Sequence, residues 1–118
     1  MPLQVDWEAN KTTVVLNLST TCHFCSESTG FYRRLVQAKG PNNFKLVAVF
    51  PQTQEEAQKY LDSHQIKVDQ IISSSLASIG VTGTPTVLLV SKGGLVFASW
   101  RGKLDENGEA EVLSKISG

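Results

Sequence analysis

Cysteine is scarce in this chain: only Cys22 and Cys25 occur in 118 residues, too few for the disulfide framework of a small secreted scaffold. Neither charge sign is in excess, with eleven Lys and Arg against eleven Asp and Glu. No basic run is dense enough to track a phosphate backbone, so nucleic acid is not an expected partner. Long apolar runs are missing too. None approaches the roughly 18 to 20 residues that span a bilayer, and no membrane segment is expected. The start, Met1-Pro2-Leu3-Gln4, lacks the charged-then-apolar pattern of a signal segment, although a signal or anchor removed upstream is compatible with it. What is present is ordinary globular usage, 41% apolar and 19% charged residues, in a chain long enough to bury a core unaided. One domain, 1–118, is expected, with 1–13 as an N-terminal extension or edge strand.

Val14-Val15-Leu16-Asn17-Leu18 reads as a strand buried on both faces, and it leads straight to Cys22. Phe24, Ser28, Phe31 and Leu35 recur at helical spacing as far as Lys39-Gly40-Pro41, which predicts one helix starting at the cysteines. Lys45 to Phe50 is a second buried strand, closed by Pro51. Thr53-Gln54-Glu55-Glu56 has the form of a capping box, with Ala57, Tyr60, Leu61 and His64 following at helical spacing. Residues 67–72 are a weaker strand candidate, and 74–80 a short helix with Gly80 at its end. Thr86 to Val90 and Leu95 to Trp100 flank the turn Ser91-Lys92-Gly93-Gly94 as an antiparallel hairpin. A final helix carries Ala110, Leu113 and Ile116, capped by Asp105 or Asn107. The pattern implies an α/β architecture: a mixed sheet built from parallel strand-helix-strand units and a closing hairpin, with helices to cover both faces.

A helix that begins at Cys22 places that sulfur over the unpaired amides of its first turn, where a thiolate is favoured. Cys25 lies one turn on and on the same face, within reach of a disulfide. Cys22 is then the attacking group and Cys25 the resolving one. A purely structural disulfide here would close a loop of about four residues and stabilise little. A zinc half-site would draw further ligands from His23, His64 or carboxylates, but no second pair has the spacing of a structural site. Haem attachment needs His directly after the second cysteine, where Ser26 stands.

About 60 residues after the C-x-x-C stands Ile79-Gly80-Val81-Thr82-Gly83-Thr84-Pro85-Thr86, just before an apolar strand. With Cys22-His23-Phe24-Cys25 upstream and Arg101-Gly102 after the hairpin, the chain from Val14 onward resembles the thioredoxin superfamily. The extra helix and strand between Phe50 and Leu76 are most similar to the TlpA/ResA-type branch. The resemblance implies a thioredoxin fold with that helix-strand insertion before the proline loop, and a cis Thr84–Pro85 bond opposite the cysteines. It also implies thiol-disulfide exchange with protein clients, chiefly as a reductant. Gly83, Thr84 and Pro85 are implied to receive an extended client segment by strand addition. No metal and no cofactor beyond a redox-active Cys22–Cys25 disulfide is implied. An upstream redox partner, a monomeric state and an extracytoplasmic location are the expectations, and a cytoplasmic location is left open.

The chain departs from the pattern in places that bear on chemistry. Thr21 stands where thioredoxins carry Trp, His23-Phe24 where they carry Gly-Pro, and Leu16 where they carry a buried Asp. Ser28 stands at the TlpA/ResA-type acidic position, which leaves Glu27 as the substitute proton acceptor for Cys25. His23 either stabilises the Cys22 thiolate as a cation or is a solvated loop residue. Phe24 is either an exposed apolar contact for a client or the first residue of the buried stripe, and the stripe favours burial. Trp7, Trp100 and His64 read as packing or surface residues. An intermediate reduction potential is expected, between about −270 mV for thioredoxin and about −120 mV for DsbA. The rival from another class is a non-catalytic thioredoxin-fold module that binds partners in the same groove.

Overall fold

Runs of β-branched residues set the sheet. In the computed structural model, which describes residues 1–40 and 42–117, β1 (Thr12–Asn17) is the central strand and all six of its residues are buried. It pairs in parallel with β2 (Phe44–Phe50), which pairs in parallel with β3 (Gln70–Ser73). On its other side β1 runs antiparallel to β4 (Thr86–Ser91), and β4 to β5 (Val96–Arg101), giving the order β3-β2-β1-β4-β5. The residues before β1 form an extension with a short 3-10 turn at Trp7–Ala9, and Thr12 and Thr13, expected in that extension, belong to the strand.

Side-chain alternation divides the core in two. Val14, Leu16, Leu46, Phe50 and Leu89 face one side, where they meet α1 (His23–Glu27), α2 (Thr29–Ala38), α3 (Gln54–Ser63) and α4 (Glu106–Ser117). Val15, Val47, Val49 and Leu88 face the other, covered by residues from Met1 to Trp7 and a 3-10 turn at Ala77–Ile79. Cover by helices was expected on both faces; the four α-helices of the described residues all pack on one. The stretch 74–80 is too short for more than one 3-10 turn before Gly80, whose φ of 80° ends it.

The helix expected from Phe24 onward is two helices. The Ser28 hydroxyl donates to the Phe24 carbonyl at 2.7 Å and the Thr29 hydroxyl to that of Ser26 at 3.0 Å. This back-bonding within the helix bends the chain at Ser28, where φ is −94° and ψ 1°. α2 ends at Ala38, whose carbonyl accepts from Asn42; Pro41, part of the expected stop, lies outside the described residues, as does Gly118. α3 carries the full capping box, with Thr53 Oγ1 accepting from the Glu56 amide and the Glu56 carboxylate accepting from Thr53. In α4 the buried residues are Val112 and Ile116, with Leu113 half-buried; Ala110 is exposed, contrary to the expected stripe. Asp105 caps this helix through the Gly108 amide at 2.8 Å, and Asn107 lies inside it.

Candidate functional site

β1 delivers the chain to the site. After Asn17, the Leu18 amide donates to the Val49 carbonyl, and a turn then lets the Cys22 amide donate to Ser19 O at 3.2 Å. Cys22 itself is extended, with φ −88° and ψ 115°, and occupies the N-cap of α1. Its sulfur acts as a capping hydroxyl would: Sγ accepts from the Cys25 amide at 3.1 Å. Gln52 fixes this turn from the β2–α3 connection, accepting from the Thr20 amide and donating to Ser19 Oγ.

The two thiols, both free, differ sharply in surroundings. Cys22 is half-buried and Cys25 fully buried among core side chains. Partial burial pushes the Cys22 thiol up. Hydrogen bonds from the Cys25 thiol, the Thr84 side chain and the Cys25 and Phe24 amides outweigh it, so the net direction is below the ordinary value of 9.0. Burial pushes the Cys25 thiol up to about 12, reinforced by the hydrogen bond to Cys22 and by the Cys22 charge. The two surroundings thus shift the sulfurs in opposite directions, Cys22 toward the thiolate and Cys25 toward the thiol.

The Thr84–Pro85 peptide bond is cis, and its loop stands near enough to the cysteines for the Thr84 side chain to lower both thiols. Pro85 is buried, and its carbonyl accepts from the Gly102 amide at 2.7 Å. Gly83, half-buried, offers its carbonyl to Thr86 Oγ1. The structure therefore brings Cys22, Cys25 and the 83–85 loop to one end of the sheet.

Phe24 corrects the expectation of burial. It is 53% exposed beside Cys22, because the bend at Ser28 separates it from the stripe of Phe31 and Leu35, and Cys25 is the residue α1 buries. His23, highly exposed, places Nε2 2.8 Å from Glu27 Oε2 rather than at the sulfur. Glu27 also pairs with Lys103 at 3.1 Å. Lys103, and then His23, hold the Glu27 carboxyl below its ordinary range, out in solvent. Its carboxylate is thus engaged by two partners other than Cys25.

Two tyrosines that the sequence did not mark as site residues belong to the surroundings of the cysteines. Tyr32 is buried, and burial first and the Cys25 charge second raise its phenol. Tyr60 on α3 shares a 3.0 Å hydrogen bond with Ser26 Oγ and packs its ring on Phe50 and His64. Burial raises its phenol as well, although the Ser26 bond opposes this. The available signal was hydroxyls beside C-x-x-C and on the facing inserted helix, but their pairing is a contact 34 residues apart in sequence. Among the described residues no three His, Cys, Asp or Glu side chains gather as a metal site would need.

No protein-family model matches the chain, and no curated protein matches it in sequence. Solved structures do. The thioredoxin domain of a thiol-disulfide oxidoreductase from Bacteroides vulgatus is 18% identical, over 96% of this chain and 83% of that one, with a TM-score of 0.75. A thiol-disulfide isomerase from Corynebacterium glutamicum is 16% identical over 100% and 88%, with a TM-score of 0.76. StoA from Bacillus subtilis is 15% identical over 89% and 81%, with a TM-score of 0.70. The chain has the thioredoxin fold. Within it, the helix α3 and strand β3 stand between β2 and the proline loop.

Proposed function

We propose that the chain is a thiol-disulfide oxidoreductase that exchanges disulfides with protein clients through Cys22 and Cys25, working chiefly as a reductant. The observation that carries this reading is the division between the sulfurs: Cys22 lowered at the N-cap of α1, Cys25 buried and raised behind it. The Cys22 thiolate attacks one sulfur of a client disulfide, that S–S bond breaks, and the other client sulfur leaves with the electron pair. In the mixed disulfide Cys22 no longer carries charge, so its hold on the Cys25 proton lapses and burial alone opposes ionisation. Cys25 then attacks Cys22 Sγ, the client sulfur departs, and the Cys25 proton passes to that departing thiolate. The products are a Cys22–Cys25 disulfide and a reduced client. No cofactor beyond this disulfide takes part.

The backbone beside cis Pro85 receives the client by strand addition, and exposed Phe24 supplies an apolar contact next to the nucleophile. The further reading is a single-domain monomer acting outside the cytoplasm, re-reduced by an upstream dithiol partner. Its support is the resemblance to the TlpA/ResA-type branch. No helix of the described residues is long and apolar enough to cross a membrane. Insulin reduction with dithiothreitol tests the activity: the parent accelerates precipitation and Cys22→Ser abolishes the acceleration. An inactive parent would favour the binding module instead.

A further inference from the structure

We propose that a groove on the second face of the sheet, with Arg101 at its mouth, selects client segments that carry a carboxylate close to the reacting cysteine. The inference rests on the oxidoreductase reading and names its substrate class.

Register places the groove at the site. Asn17, the last residue of β1 before the cysteine turn, pairs with Thr86, and Thr86 pairs with Arg101 on β5. Arg101 therefore lies at the cysteine end of the sheet, one residue before Gly102, whose amide is bonded to Pro85 O. Its guanidinium donates to Thr82 Oγ1 at 3.0 Å, and its stem lies along Gly83, where an added Cβ would stand 3.7 Å from Arg101 Cδ. The 82–84 loop and Arg101 thus form one surface, which continues the proline loop given to the client in the proposed function.

Behind this surface opens a cavity of about 450 Å³, lined by Val81, Leu88 and Val96 on its apolar side and by Thr82, Ser99 and Arg101 at its polar end. The second face leaves it open because no α-helix covers β4 and β5 there. Arg101 is exposed, and among the described residues no carboxylate pairs with it. Lys103 and His23, by contrast, already have a carboxylate partner, since both hold Glu27. Of the five N–H donors of a guanidinium, the bond to Thr82 uses one and leaves the fork free for a carboxylate. Charge complementarity at this mouth therefore favours an acidic client flank and disfavours a basic one.

The test uses three disulfide-linked peptides, identical except that Asp, Ala or Lys flanks the cysteine, with second-order reduction rates measured for the whole chain. The Asp peptide is expected to react about two- to fivefold faster than the Ala peptide, the range of an exposed ion pair, and the Lys peptide more slowly. Raising salt should bring the rates together, because the pair is screened. Arg101→Gln should erase the order and Arg101→Lys should keep most of it. Equal rates in the parent, an order indifferent to salt, or an order that survives Arg101→Gln would overturn the inference while leaving the oxidoreductase reading intact. Failure of the parent to reduce any of the three would overturn both.

Discussion

The hydrogen bond that lowers Cys22 most comes from the Cys25 thiol, and it can be removed without touching Cys22. Cys25→Ala deletes that donor and keeps the Cys25 amide, 3.1 Å from Cys22 Sγ, in place. A hydrogen bond to a charged group contributes about 1.5 to 3 kcal/mol, and half-burial trims this toward the lower bound. Its loss should raise the half-titration pH of Cys22 and slow its alkylation at neutral pH. Cys25→Ser, which keeps a donor, should stay near the parent. The assay is the pH dependence of iodoacetamide alkylation, followed at Cys22 by mass spectrometry. In the parent, Cys22 should reach half its limiting rate below pH 9.0. Cys25, ionising only near 12, should hold about a thousandfold less thiolate at neutral pH than even an ordinary thiol. Identical profiles for parent and Cys25→Ala would refute the reasoning, as would a parent Cys22 titrating above 9.0.

Glu27→Gln removes the carboxylate shared by His23 and Lys103 but no group at the sulfurs, so insulin reduction should keep the parent rate within about twofold, since exposed pairs are worth little. A loss of tenfold or more would restore Glu27 as a proton acceptor. Alkali should destabilise the reduced protein in a window set by Cys25. Its folded value, about 12, lies above the unfolded one, so the stability it contributes is complete below pH 9 and is lost as pH rises toward 12. Cys25→Ala should therefore show a smaller fall in Tm between pH 9 and 11 than the parent. Gly94 holds φ at 80°, and a Cβ there would stand 3.1 Å from Trp7 Cδ1. Gly94→Ala should cost about 1 to 2 kcal/mol in urea unfolding and shift Trp fluorescence, whereas Gly93→Ala, with open space around it, should change stability little.

What could be read from the sequence is what short spacing encodes. Cys22 and Cys25 are one turn apart, the capping box at Thr53 spans four residues, and the hairpin turn at Ser91 to Gly94 carries its own glycines. β1, β2 and β4 are visible for the same reason, since continuous apolar runs suit only strands buried on both faces. The features that were missed depend on distant partners or on small hydroxyls competing with the backbone. The helix spacing from Phe24 to Leu35 holds on paper, but Ser28 and Thr29 take the carbonyls of Phe24 and Ser26 and turn Phe24 outward. Glu27 was named as a candidate base from its place beside Cys25, and its partner Lys103, 76 residues on, could not be read from local spacing. The open second face could not be foreseen either, because the 74–80 stretch is helical in pattern and too short to cover β4 and β5.

Equilibration against mixtures of reduced and oxidised glutathione, with the dithiol and disulfide forms separated after acid quenching, bears most directly on the paired roles given to Cys22 and Cys25. A single reversible two-electron transition is expected, with an intramolecular Cys22–Cys25 disulfide forming between about −270 and −120 mV, and its loss in Cys22→Ser. A pair that stays reduced throughout, or that forms only mixed disulfides with glutathione at Cys22, would contradict it.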